Sequence, residues 1–127
     1  MKLPRPTDAE IEILKVLWRR GPSTVREVFD ALSESKQTGY TTVLKFMQIM
    51  SEKGLVRRDE SERAHRYEAV APEEETQRQM VGDLLSRVFD GSAKRLVMQA
   101  LSSRAASAEE LEEIRRMLDE LERGEGR

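Results

Sequence analysis

The chain contains no cysteine. That excludes disulfides, thiolate metal sites and thiol nucleophiles together. It contains one histidine, His65, so a multi-histidine metal site within one chain is ruled out. A serine hydrolase triad would have a single candidate base. Aromatics make up only 5% of residues, with one tryptophan, Trp18. No apolar run approaches the ~18 residues that a membrane helix needs. The segment Met1-Lys2-Leu3-Pro4-Arg5 lacks the apolar stretch of a secretion signal, so the cytoplasm is the expected compartment. There is no nucleophile–base pair, metal cluster or Gly-rich phosphate loop. No catalytic residue, metal or cofactor is therefore expected.

Net charge is also small, at −2, but it is unevenly placed. Residues 1–71 carry 13 Lys and Arg against 11 Asp and Glu, and residues 72–127 carry 9 against 13. Within residues 36–67 the count is 7 against 4. The basic charge is local, so the acidic whole does not exclude a nucleic-acid partner. Charge alone favours an ordinary solvated surface. A chain of 127 residues allows one core, or a small domain with an oligomerisation arm.

Thr7-Asp8-Ala9-Glu10 reads as a helix start, with Thr7 and Glu10 spaced as a capping box. Ile11, Leu14, Val16, Leu17 and Trp18 follow as an apolar face, and Gly21-Pro22 ends the helix. Thr24-Val25-Arg26-Glu27 is a second capping box. It opens a short helix to about Leu32 that buries Val25, Val28, Phe29 and Leu32. A polar turn spans Ser33 to Gly39. A third helix runs from Tyr40 to Lys53 and stops at Gly54. Val43, Phe46, Met47 and Met50 form its core stripe, and Thr41, Lys45, Gln48 and Glu52 its polar face. Trp18, Phe29 and Phe46 are expected in the core. Leu55 to Arg58 and His65 to Val70 read as strands joined by the polar loop Asp59 to Ala64.

Beyond Pro72 the pattern is helical throughout. Glu73 to Phe89 carries Met80, Leu84, Leu85 and Val88 on one side, and Asp90-Gly91 breaks it. Ser92 caps a helix with Leu96, Val97, Ala100 and Leu101. Ser107 to Glu110 is a third capping box. It opens a helix with Leu111, Ile114, Leu118 and Leu121 at coiled-coil spacing. The tail from Arg123 to Arg127 is expected to fray. These helices hold too few apolar residues for a core of their own. A second copy of the chain, packed about a two-fold axis, is the expected partner for their stripes.

The expected fold is mainly α. Residues 1–71 form a winged helix-turn-helix, three helices plus a β-hairpin wing, and residues 72–127 a helical dimerisation arm. The start of the third helix would enter the major groove of double-stranded DNA. Tyr40, Thr41, Thr42 and Lys45 lie there, with Gln48 one turn on. Thr offers a hydroxyl and a methyl, Lys donates to guanine, and Gln pairs with adenine. Thr24 is included as a contact at the second helix's start. Arg57, Arg58, Arg63, His65 and Arg66 supply wing charge for phosphates. Each residue alone fits an ordinary surface position; the set carries the reading. The expected interface of the homodimer comprises Leu84, Leu85, Val88, Leu96, Val97, Leu101, Leu111, Ile114, Leu118 and Leu121.

With these motifs placed, the chain resembles the penicillinase/methicillin-resistance repressor family (BlaI/MecI/CopY) from about Leu3 to Leu121. The resemblance rests on Thr7-Asp8-Ala9-Glu10 with Val16-Leu17-Trp18, and on Tyr40-Thr41-Thr42-Val43 with Lys53-Gly54-Leu55-Val56. Arg63-Ala64-His65-Arg66-Tyr67, Phe89-Asp90-Gly91-Ser92 and the closing helix extend it. It implies a dimeric repressor on an inverted-repeat operator, with the C-terminal helices as interface and Thr41, Thr42 and Lys45 in the groove. It also implies a membrane-bound sensor protease of the BlaR/MecR type that releases the operator. Three departures stand out. Leu44 and Ile49 occupy positions where relatives often carry basic residues. The relatives' Asn-Phe cleavage junction reads Gln99-Ala100. The cysteine pairs of the copper-responsive branch are absent. A small-effector regulator of the MarR or PadR kind, and a winged helix used only to bind protein, remain open on these residues.

Overall fold

The computed structural model describes residues 4–35 and 37–124. Lys36 of the expected turn, and residues 125–127 of the tail expected to fray, lie outside them. The order is α1 (Asp8–Arg20), β1 (Ser23–Thr24), α2 (Val25–Ser33), α3 (Tyr40–Lys53), β2 (Val56–Asp59), β3 (Arg66–Ala69), α4 (Glu73–Arg87), α5 (Ala93–Ser103) and α6 (Ala108–Glu122). The chain forms two compact units, one up to Gly82 and one from Asp83 onward. Pro72 immediately precedes α4, whose first turns belong to the first unit; Thr76 there is buried. No described helix is long and apolar enough to cross a membrane.

Local chemistry sets the helix ends of the first unit. Both capping boxes form: Thr7 accepts from the Glu10 amide while Glu10 accepts from the Thr7 amide, and Thr24 and Glu27 do the same for α2. Reciprocal caps of this kind satisfy amides that a helix start otherwise leaves open. α3 ends in a Schellman turn. The Leu55 amide reaches the Met50 carbonyl at 2.9 Å and the Gly54 amide the Ser51 carbonyl at 3.2 Å, with Gly54 left-handed at φ 86°. Met50 and Leu55 are both core residues, so the turn also carries the apolar contact that accompanies this motif.

The core joins Ile13, Leu14, Val16 and Leu17 of α1 with Val25, Val28 and Leu32 of α2, and with Val43, Met47 and Met50 of α3. Leu55, just before β2, with Val56 and Tyr67 of the strands, closes it. Each fully buried aliphatic side chain contributes roughly 1.5–3 kcal/mol relative to exposure. Ile13, rather than Ile11, faces inward from α1. Trp18, Phe29 and Phe46, expected inside, are only partly buried and pack against the margin of the core. Trp18 sits there because its indole N–H donates to the Ala71 carbonyl at 2.9 Å. An indole N–H withdrawn from water keeps such a partner, and this acceptor lies at the margin.

The hairpin is part of a larger sheet. Three antiparallel strands run in the order β1-β3-β2. Val56 faces Ala69 and Asp59 faces Arg66, while Ser23 and Thr24 of β1 face Tyr67 and Arg66 on the other edge of β3. Ser23 and Thr24, read from the sequence only as a helix stop and a cap, thus also form a strand that anchors the wing to the helices.

The second unit contrasts sharply with the first. The α4–α5 connection turns at Asp90 (φ 49°) and Gly91 (φ 82°), and Ser92 caps α5 by accepting from the Arg95 amide. Ser107 caps α6 by accepting from the Glu110 amide. Neither α5 nor α6 has a buried residue.

Candidate nucleic-acid interface

α2, the following turn and α3 form a helix-turn-helix, and the core stripe of α3 decides which side faces out. Val43, Met47 and Met50 are completely buried, so the opposite side of the helix is turned to solvent. Tyr40, Thr41, Thr42, Lys45, Gln48 and Ile49 are all exposed. Gly39 caps α3 without a side-chain hydrogen bond. The end expected to approach DNA therefore presents backbone N–H groups and no carboxylate in its first turn.

Two concavities divide these residues. One, of about 360 Å³, is lined by Thr41, Thr42, Lys45, Phe46 and Ile49 on α3 itself. The other, of about 290 Å³, lies between the starts of α2 and α3 and the wing. It gathers Thr24, Tyr40, Arg63 and His65, with Arg26, Leu44 and Tyr67. The Tyr40 ring stands edge-on to Phe29 at 5.8 Å between centroids, and the Arg26 guanidinium lies 5.5 Å from the same ring. Phe29 thereby orders both side chains from beneath. Arg26 went unnoticed in the sequence, although its place in the first turn of α2 beside Thr24 could have marked it. Gln48 and Arg57 line neither concavity.

The wing cations are unequal. Arg66 is half-buried, its Nη1 3.2 Å from Glu27 Oε1 and its Nε 3.8 Å from Glu62 Oε1. Arg57 pairs across the strands with Glu68 at 3.2 Å, and Arg58 pairs with Glu60. Among the described residues, Lys45 and Arg63 have no ion-pair partner. Of the cations expected at the DNA, these two are the ones whose charge no carboxylate answers among the described residues. Thr24 uses its hydroxyl to cap α2, accepting from the Glu27 amide at 3.1 Å.

Glu27 is the hub of this region. The Thr24 amide holds its carboxyl below the ordinary value, outweighing desolvation, and the Arg66 and Arg20 charges add to the effect. Arg20 approaches its other oxygen at 3.4 Å. One side chain thus caps α2, holds the wing through Arg66 and receives the end of α1. Among the described residues no group of three His, Cys, Asp or Glu side chains could hold a metal ion.

The same order of elements occurs in known proteins. A family model described as penicillinase repressor matches residues 6–120. The transcriptional regulator BlaI of Mycobacterium tuberculosis (strain H37Rv) is 36% identical over 126 residues, 98% of this chain and 91% of that protein. The penicillinase repressor of Bacillus licheniformis is 25% identical over 119 residues, 94% of this chain and 93% of that one. Among solved structures, Bacillus licheniformis BlaI in monomeric form, in complex with the blaP half-operator, is similar at 26% identity and a TM-score of 0.51. That match covers 57% of this chain and 89% of that one. The family match extends through the helix-turn-helix, the sheet and the helices beyond Pro72, so the chain belongs to the penicillinase repressor family, whose members are transcriptional repressors and not enzymes.

Proposed function

We propose that this protein is a sequence-specific transcriptional repressor that binds an inverted-repeat DNA operator as a homodimer. The observation that carries the reading is the outward face of α3. Thr41, Thr42 and Lys45 are exposed together there, beside a cleft that holds Tyr40, Arg63 and His65. In this reading Lys45 and the two threonines meet base edges. Arg63, His65 and the open amides at the start of α3 meet phosphates. The half-operator complex of the Bacillus licheniformis relative supports it. Thr24, Gln48, Arg57 and Arg66 stand at the margin of the contact.

Residues 1–71 are assigned to DNA and residues 72–127 to dimerisation. In the second part Leu84, Val88, Val97, Leu101, Leu118 and Leu121 are all more than a third exposed. Leu85, Leu96, Leu111 and Ile114 are half-buried. An apolar stripe on three successive helices needs a partner, and a second copy supplies a self-complementary one. Release by a membrane-bound sensor protease of the BlaR/MecR type, acting on the cytoplasmic repressor, completes the reading. Gln99 and Ala100 are exposed on α5, in the place of the relatives' cleavage junction.

Footprinting the full chain on the DNA upstream of its own gene, across a salt series, tests the proposal. A protected palindrome is expected. Lys45→Ala should weaken that specific binding by about 1–3 kcal/mol and relax choice at one base position. Protection that ignores sequence, or equal loss on operator and random DNA, would overturn it.

A further inference from the structure

The α3 concavity has a chemistry that the DNA reading does not by itself require. Its lining is chiefly apolar, from Thr41, Thr42, Phe46 and Ile49, and Lys45 is its one charge. Ile49 is 37% exposed, although it is a β-branched aliphatic residue in the middle of a helix whose other side holds the core. Phe46 reaches the same surface from the margin of the core. The methyl and ring carbons of this face gain nothing from phosphate oxygens. Most groups on a base edge in the major groove are hydrogen-bond donors or acceptors; the apolar one is the C5-methyl of thymine.

We propose that the Thr42–Phe46–Ile49 surface reads thymine methyl groups, making this part of the operator half-site a thymine-containing step with Lys45 aimed at the neighbouring base pair. The assignment rests on the operator-binding reading above. It makes Ile49 a specificity-determining residue and gives Thr42 a role through its methyl as well as its hydroxyl. The single cation favours DNA as the occupant. Lys45 has no carboxylate partner among the described residues, and residues 36–67 carry 7 basic against 4 acidic side chains.

The test begins with duplexes selected by the full-length protein from a random-sequence pool. Each thymine of the selected half-site is then replaced by deoxyuridine, which removes only the methyl. One or two positions should weaken binding by about fourfold, the effect of leaving one methyl-sized group unburied. The same replacements should have no further effect on Ile49→Ala or on Thr42→Ser, which keeps the hydroxyl. Because Ile49 is exposed, Ile49→Ala should keep the unfolding midpoint of the parent chain. A selected site indifferent to deoxyuridine at every thymine would overturn the assignment while leaving operator binding intact. So would a thymine preference that persists unchanged in both variants. Self-association that disappears in Ile49→Ala would assign the face to a second copy instead. Failure to enrich any sequence would overturn the operator reading, and this assignment with it.

Discussion

Lys53 Nζ lies 2.7 Å from Glu10 Oε1, so the last turn of α3 is tied to the first turn of α1. The same oxygen accepts from the Thr7 amide at 2.8 Å. Burial pushes the Glu10 carboxyl up, but the Lys53 hydrogen bond, the Thr7 amide and the Lys53 charge together hold it below its ordinary value. Its side chain is 3% exposed, against 32% for Lys53. Removing the lysine leaves a buried carboxylate unpaired, which is more damaging than losing a surface ion pair. Lys53→Met should destabilise the chain by about 2 kcal/mol, and Glu10→Ala by a similar amount because it also removes the cap. Urea unfolding measures both, and an unchanged midpoint in either would refute this role for the pair.

The pH dependence has a definite sign. Glu10 and Glu27 both titrate below the ordinary carboxylate value of 4.5. The unfolded chain therefore takes up protons first as pH falls. Their contribution is complete above that value and is lost as pH drops through the depressed folded values. Stability measured from pH 6 down to pH 3 should fall, and Glu10→Gln should flatten the fall. A slope unaltered in that variant would count against the assignment.

Salt dependence should separate the two arginines of the wing. Arg63 has no carboxylate partner among the described residues, whereas Arg66 is paired with Glu27 and Glu62. Arg63→Ala should reduce the slope of log affinity against log salt by about one unit. Arg66→Ala should reduce it by less, because part of that charge is already neutralised. Replacing Glu27 by Gln first should raise the effect of Arg66→Ala towards that of Arg63→Ala. Equal slopes for the two single variants would show that Glu27 does not withhold Arg66 from phosphate.

The dimerisation arm is best tested by a cut after Gly82, where the first compact unit ends. A cut after Val70 would delete the Ala71 carbonyl that Trp18 uses and the buried Thr76. The fragment ending at Gly82 should sediment as a monomer, and the full chain as a dimer. Leu118→Asp with Leu121→Asp should dissociate the full chain. A dimeric fragment would place the interface elsewhere.

Much of this architecture was legible in the residues because it is local. Thr7 with Glu10, Thr24 with Glu27, and Gly54 after Lys53 act over three or four positions, and a single sequence displays them. The inward stripe of α3 and the exposure of Thr41, Thr42 and Lys45 follow from helical period alone. What escaped depends on distant segments meeting. β1 has two residues and no apolar run, and it becomes a strand only because β3 offers it an edge. The Arg66–Glu27 pair joins positions 39 apart in sequence, so Arg66 read as a free cation. Glu10 read as a cap and nothing more, because Lys53 is 43 positions away. Trp18 read as core because its hydrophobicity is visible in a sequence and its carbonyl partner is not.

That indole is the single tryptophan of the chain, and Ala71 lies two positions before α4 begins. The protein thus carries one indole fluorophore, which can be excited apart from its two tyrosines and is attached by one hydrogen bond to the strand-to-helix junction. Its emission will shift when the peptide around Ala71 leaves the indole. Any event that frees this segment can therefore be timed by stopped-flow fluorescence on the unlabelled protein.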